Sequence, residues 1–287
     1  MTEQMIKKKT HNFDDQKTHY LRPNFQHVEI GIQGVNGQPF INFEQYLDTS
    51  EFNSLHQEIV FGLSQIDKFE HGFILGEIPP EFKNEYKNIT LESEIFGDIE
   101  KFDPTGLHRK NLDKLDTHQK KRRYCYFAMG GYSPWYGTVY LRRGHFLEKT
   151  KENKNSTWTV ESDFFPELKI FIEKLKKNIF DEIGRCLFFI SYPNVETIVH
   201  RDFLQNDHKD HCINFYFCKG RPAYIYDEIN KQKIYLDPNC RAYFFNNRDY
   251  HGVDAEPEFR YTLRVDGTFK KNISDQLGLI DGYVCKK

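Results

Sequence analysis

Two histidines and an aspartate stand out in this 287-residue sequence for what their types and spacing can do. In Thr197-Ile198-Val199-His200-Arg201-Asp202 a His and an Asp lie two apart just after a strand-like run. On an extended backbone their side chains share a face. Further along, Tyr250-His251-Gly252-Val253 supplies a second His, after the aromatic run at 242–245. Two imidazoles and one carboxylate cap one face of an octahedral metal and leave three positions open. In Arg260-Tyr261-Thr262-Leu263-Arg264, a strand-like run, Arg260, Thr262 and Arg264 fall on one face. A planar guanidinium beside a hydroxyl holds a carboxylate through a bidentate pair plus a hydrogen bond.

The H-x-D of His200 and Asp202, the distal His251 and the R-x-T of Arg260 and Thr262 together resemble the Fe(II)/2-oxoglutarate-dependent dioxygenase superfamily. The likeness spans roughly residues 166–270 and carries no motif into the N-terminal half. It implies an α+β fold with a double-stranded β-helix (jelly-roll, cupin-like) core flanked by helices. It further implies that His200, Asp202 and His251 hold Fe(II), that 2-oxoglutarate binds this metal, and that O₂ is consumed with release of succinate and CO₂. Arg260 with Thr262 would receive the 5-carboxylate of 2-oxoglutarate. Some branches of the family place this arginine farther past the distal His, so Arg264 rivals Arg260; the loser would line the substrate pocket or pair with Asp266. Related halogenases carry Gly or Ala at the carboxylate position. Keeping Asp202 favours hydroxylation, with desaturation, ring formation and demethylation as reactions of the same origin.

Other residues have two readings each. Along 212–218, Cys212, Asn214, Tyr216 and Cys218 alternate with Ile213, Phe215 and Phe217, so one face can carry polar contacts. Asn214 or Tyr216 on that face would hydrogen-bond a cosubstrate carboxylate, or would be satisfied polar groups in an ordinary core. Tyr192 is a similar candidate. Tyr132, Trp135 and Tyr136 form a packed turn or an aromatic wall of a substrate pocket. His208, Asp210 and His211 crowd metal-ligating types beside the H-x-D motif. A zinc site there lacks a further ligand pair at finger-like spacing, and 203–207 reads as a loop. These residues are therefore structural or solvated, or His208 or His211 contacts the substrate.

Helices and strands must position these groups. Residues 27–41 read as a hairpin around Asn36-Gly37. From Ser50, the apolar positions Phe52, Leu55, Ile59, Leu63 and Ile66 recur at helical spacing, with Ser50 or Thr49 as cap. Residues 75–123 carry prolines, an acidic run and then a basic run, as a lid or a solvated face would. Two strands flank the turn at 130–135. A second helix is expected from Pro166 to about Ile183, ended by Gly184. Six short strands then follow between Cys186 and Val265, a barrel or sandwich pattern. The expected organisation is a flexible arm over 1–25 and one domain over 26–287, with helix and strand decoration over 26–160 and the jelly-roll core over about 161–287.

Composition narrows the partners. Forty Lys+Arg against 42 Asp+Glu leave a net charge of −2, so no global basic field favours duplex DNA. No window reaches the ~18 apolar residues of a membrane span and the N-terminus lacks a secretory signal's apolar region, so a cytoplasmic protein without membrane contact is expected. The six cysteines include no C-x-x-C pair and read as reduced thiols. A small-molecule substrate, a free amino acid or similar polar metabolite, is the expectation. The alternatives are a protein side chain or nucleobase docked by Arg109, Lys110 and the basic run 120–123, and, in another class, a non-catalytic metal-binding jelly-roll protein.

Overall fold

The computed structural model describes residues 31–67, 69, 76–77, 79, 81, 137–143, 156–191, 194, 196–202, 211–218, 220–280 and 284–285. Helix α1 (Phe52–Ser64) turns Phe52, Leu55, Ile59 and Leu63 inward, as the spacing requires. Ser50 does not cap it: Glu51 holds the N-cap position without a side-chain bond, and the Ser50 N–H and hydroxyl both donate to Asp48. Helix α2 (Pro166–Asn178) buries Leu168, Phe171, Ile172 and Leu175. Its first turn is capped from outside, because the Glu58 carboxylate of α1 accepts the N–H groups of Glu167 and Leu168 at 2.8 and 2.9 Å. Two of the four N–H groups a helix start leaves unpaired are thereby satisfied. At Gly62 an added Cβ would come within 2.4 Å of the Phe165 ring, so only glycine lets α1 pack this close to the start of α2.

The second helix is shorter than its periodicity suggests. Ile179 and Ile183 continue the apolar spacing, yet from Phe180 the chain is extended and pairs with a later strand. The strands are β1 (Ile41–Asn42), β2 (Gly76–Glu77), β3 (Gly137–Arg143), β4 (Thr157–Trp158), β5 (Phe180–Ser191), β6 (Thr197–Asp202), β7 (His211–Phe215), β8 (Ala223–Asp227), β9 (Gln232–Tyr235), β10 (Ala242–Phe244), β11 (His251–Val253), β12 (Arg260–Phe269), β13 (Leu279–Ile280) and β14 (Val284–Cys285). A short helix α3 (Lys271–Gln276) follows β12. One sheet has the order β1-β10-β7-β12-β5-β3-β4 and the other β2-β6-β11-β8-β9, with β13 and β14 paired apart. Every pairing among the described strands is antiparallel.

Strand alternation divides the larger sheet into two faces. Tyr261, Leu263 and Val265 of β12 join Phe188 and Ile190 of β5, Phe215 of β7 and the buried stripes of α1 and α2 in the main core. The opposite face carries Thr262 and Arg264 of β12 and Asn214 of β7, which line one cavity together with His251 and Gly252 of the smaller sheet. A second apolar cluster, including Tyr216, Ala223, Ile225, Tyr243, Phe245 and Val253, draws on both sheets beside that cavity. The helices thus back one sheet, and the polar face is left for the site.

Candidate metal centre

β6 and β11 bring the three expected ligands together. In their antiparallel register His251 stands opposite His200, and the two rings lie 4.3 Å apart between centroids. Asp202 follows two residues after His200, its Oδ1 3.6 Å from His200 Nε2. One ligand atom from each of His200, Asp202 and His251 lies within 4.8 Å of the others. Val199 and Tyr250 belong instead to a cluster with Tyr224 and Tyr226, and Arg201 stacks on Tyr250 at 4.7 Å. The period of two is what separates these faces.

The groups around the cluster prepare it for a cation. His251 Nδ1 is hydrogen-bonded to the Asp249 carbonyl at 2.9 Å, which fixes Nε2 as the nitrogen left for a ligand bond. Burial, helped by the neighbouring His200, pushes the His251 pKa down to about 3, so the ring is neutral near pH 7. Burial alone would raise the Asp202 carboxyl; the adjacent His200 ring and the Arg264 guanidinium outweigh it and hold the group ionised. Asn247 Nδ2 donates to Asp202 Oδ2 at 3.2 Å, and the Asn247 carbonyl accepts the Asp202 N–H. Two imidazoles and one carboxylate on adjoining strands suit a divalent first-row metal. Asp249 also accepts the N–H groups of Gln33 and Gly34, both at 2.7 Å, and so straps residues 33–34 behind His251. Phe245 stands edge-on to the His251 ring at 4.7 Å, and a Cβ at Gly252 would meet the Tyr224 hydroxyl at 2.4 Å.

Beside His251 lies a narrow cavity of about 50 Å³ whose walls include Thr197, Asn214, Tyr216, Tyr243, Thr262 and Arg264. Of the sequence candidates, Asn214, Tyr216, Thr262 and Arg264 therefore share one space with His251. Arg260 lies at the start of β12 and is engaged by Glu256 through two 3.2 Å bonds and by Glu258 at 2.5 Å. Arg264 donates from Nε to the buried Asp266 at 2.6 Å, while its NH1 stands 3.9 Å from Asp202 Oδ2. Asp266 takes a second guanidinium, Arg185, at 2.7 Å. His211 is in the core, accepting the Phe269 N–H and stacked on that ring at 4.3 Å, and is not part of the cluster. Tyr132, Trp135, Tyr136, Tyr192, His208, Asp210, the basic residues 109–110 and 120–123 and the arm at 1–25 lie outside the described residues.

Sequence reasoning missed Asn247 and Asp249. Both belong to the polar run Asn246-Asn247-Arg248-Asp249 just ahead of His251, a signal that was there to read.

No family model and no curated protein sequence matches the chain. Solved structures do resemble it. A prolyl hydroxylase from Trichoplax adhaerens, in complex with a hypoxia inducible factor oxygen degradation domain peptide fragment, aligns over 93% of this chain and 97% of its own, with 12% identity and a TM-score of 0.39. A Pseudomonas putida prolyl-4-hydroxylase aligns over 39% of this chain and 69% of its own, with 14% identity and a TM-score of 0.27. The viral collagen prolyl hydroxylase of Paramecium Bursaria Chlorella virus-1, solved as a 2OG complex, aligns over 45% and 77%, with 11% identity and a TM-score of 0.26. No helix among the described residues is long and apolar enough to cross a membrane.

Proposed function

We propose that the chain is an Fe(II)- and 2-oxoglutarate-dependent oxygenase that hydroxylates an unactivated C–H bond of a small polar metabolite such as a free amino acid. The observation that carries this reading is the His200–Asp202–His251 cluster, with all three ligand atoms inside 4.8 Å on adjoining strands. The strand orders β10-β7-β12-β5 and β6-β11-β8-β9 support a double-stranded β-helix, with the site between its two sheets. Fe(II) bound there supplies the redox chemistry that couples 2-oxoglutarate decarboxylation to O₂ activation.

The chain's own residues have simpler tasks. His251 presents a neutral nitrogen and Asp202 a carboxylate that stays charged, with the His200 ring beside them. Asn247 and the Asp249 carbonyl hold Asp202 and His251 in orientation. Thr262, Asn214 and Tyr216 offer hydrogen bonds to the cosubstrate in the cavity beside the ligands. The cavity is partly apolar, walled by Phe40, Phe189 and Phe245 as well.

Succinate formation by anaerobically reconstituted Fe(II) protein, supplied with 2-oxoglutarate, O₂ and pools of amino acids, peptides or nucleotides, tests the reading. A rise dependent on one pool is expected, with loss of that rise in His200→Ala and Asp202→Ala at unchanged circular dichroism. Succinate release that survives both substitutions overturns the metal assignment.

A further inference from the structure

The turn ahead of β11, residues 246–249, is gripped from two sides. On one side it holds two of the candidate ligands. Asn247 donates from Nδ2 to Asp202 Oδ2 at 3.2 Å, its carbonyl accepts the Asp202 N–H at 3.0 Å, and the Asp249 carbonyl accepts from His251 Nδ1 at 2.9 Å. On the other side it holds residues 31–34. Asp249 Oδ1 accepts the Gln33 N–H and Oδ2 the Gly34 N–H, both at 2.7 Å, and Asn246 Nδ2 donates to the Gly34 carbonyl at 3.3 Å. These last partners lie 212 to 216 residues apart in sequence.

The turn is stiff enough to carry a pull from one side to the other. The Asp249 N–H returns to the Asn246 carbonyl at 2.9 Å, and the Arg248 N–H to Asn246 Oδ1 at 3.1 Å. Asn246, Asn247 and Asp249 are all buried. A buried carboxylate needs hydrogen bonds, and Asp249 spends one oxygen on each of two backbone N–H groups of the segment 31–34. With that segment withdrawn, both oxygens turn to water, and the backbone bearing the Asp249 carbonyl is free to follow. The segment is equally determined. Gly34 sits at φ +64°, and a Cβ there would lie 2.5 Å from the Gln38 carbonyl oxygen, so glycine alone lets residue 34 present its N–H and its carbonyl to the turn. Its far end is fixed by Glu228, which accepts the Gly31 N–H at 3.0 Å.

We infer that residues 31–34 are a positioning strap for the metal centre, acting through the turn 246–249 on the orientation of His251 and Asp202, given the metal-binding reading of that cluster on which this rests. Strap and ion bias the same turn, so their coupling is reciprocal: a docked strap tightens metal binding, and a bound metal holds the strap down by the same factor. Whatever displaces 31–34 lowers metal occupancy without touching a ligand.

Two variants and one exchange measurement test this. Asp249→Asn is nearly isosteric, keeps one acceptor oxygen and sets an NH2 group against the second backbone N–H; Gly34→Ala disturbs the strap and leaves the turn's own residues intact. Mn(II) titration is expected to show affinity weakened on the order of tenfold in each, the size typical of a lost support to a metal ligand. In the parent, Mn(II) is expected to slow amide deuterium exchange over residues 31–35, read by mass spectrometry, by a similar factor. Parental metal affinity in either folded variant, or strap exchange that the metal leaves unchanged, overturns the inference. If a variant does not fold by circular dichroism, the remaining measurements decide. A parent that binds no Mn(II) rejects the ligand assignment, and nitrogen NMR of the metal-free His251 ring then decides the strap. A proton fixed on Nδ1 in the parent and shared between the two ring nitrogens in Asp249→Asn upholds the positioning role; identical ring signals in the two overturn it.

Discussion

Asn247 touches Asp202 twice, through its amide and through its backbone carbonyl, and only the first contact depends on its side chain. Asn247→Ala should therefore leave the strand ends in place and free one carboxylate oxygen to rotate. Loss of such an outer contact typically costs 10- to 100-fold in metal affinity, so Mn(II) titration of Asn247→Ala is expected to show a weakening of about that size with little change in melting temperature. At this scale the sequence was informative about which side chains gather and poor about their supports. His200, Asp202 and His251 announce themselves because their types are rare together and strand period two puts the first pair on one face. Asn247 and Asp249 do not, because a polar run ahead of a strand looks like any surface turn until the fold sets it against Asp202 and His251. Asp266 was legible as a partner for Arg264, two residues away on the same strand, whereas the hold of Glu256 and Glu258 on Arg260 depends on how the loop before β12 folds.

Among the elements, α2 shows both what periodicity reveals and where it misleads. Its apolar stripe is legible, but Ile179 and Ile183 extend the stripe into residues that pair with β12, so a reading by spacing alone runs several residues too far. Spacing three or four and alternation by two coincide at such positions, and only the partner strand decides between them. The cap of α2 was invisible for a similar reason: Glu58 is distant in sequence and belongs to another helix. Glu58→Ala removes an acceptor from two N–H groups and is expected to cost about 1 kcal/mol, read as a lowered urea midpoint at unchanged slope. An unchanged midpoint would show that water caps α2 as well as Glu58 does.

For the whole molecule, the antiparallel two-sheet plan places helices behind one sheet and leaves its polar face toward the other, which is why one cavity collects residues from β7, β11 and β12. A ligand that binds only the folded protein raises its stability. Mn(II) is expected to raise the melting temperature, and 2-oxoglutarate to raise it further only when Mn(II) is present; equal shifts with and without metal would separate the acid from the metal site. The ligand set also spans the chain in a particular way. Asp202 ends β6 and His251 begins β11, so an ion shared by them ties together two points separated by a loop of roughly 50 residues. Such a tie works as a removable cross-link. Unlike a disulfide, it acts only in the folded state, where it holds the two ends of that loop together, so chelation is expected to raise amide exchange across β7 through β10, including strands that never touch the ion.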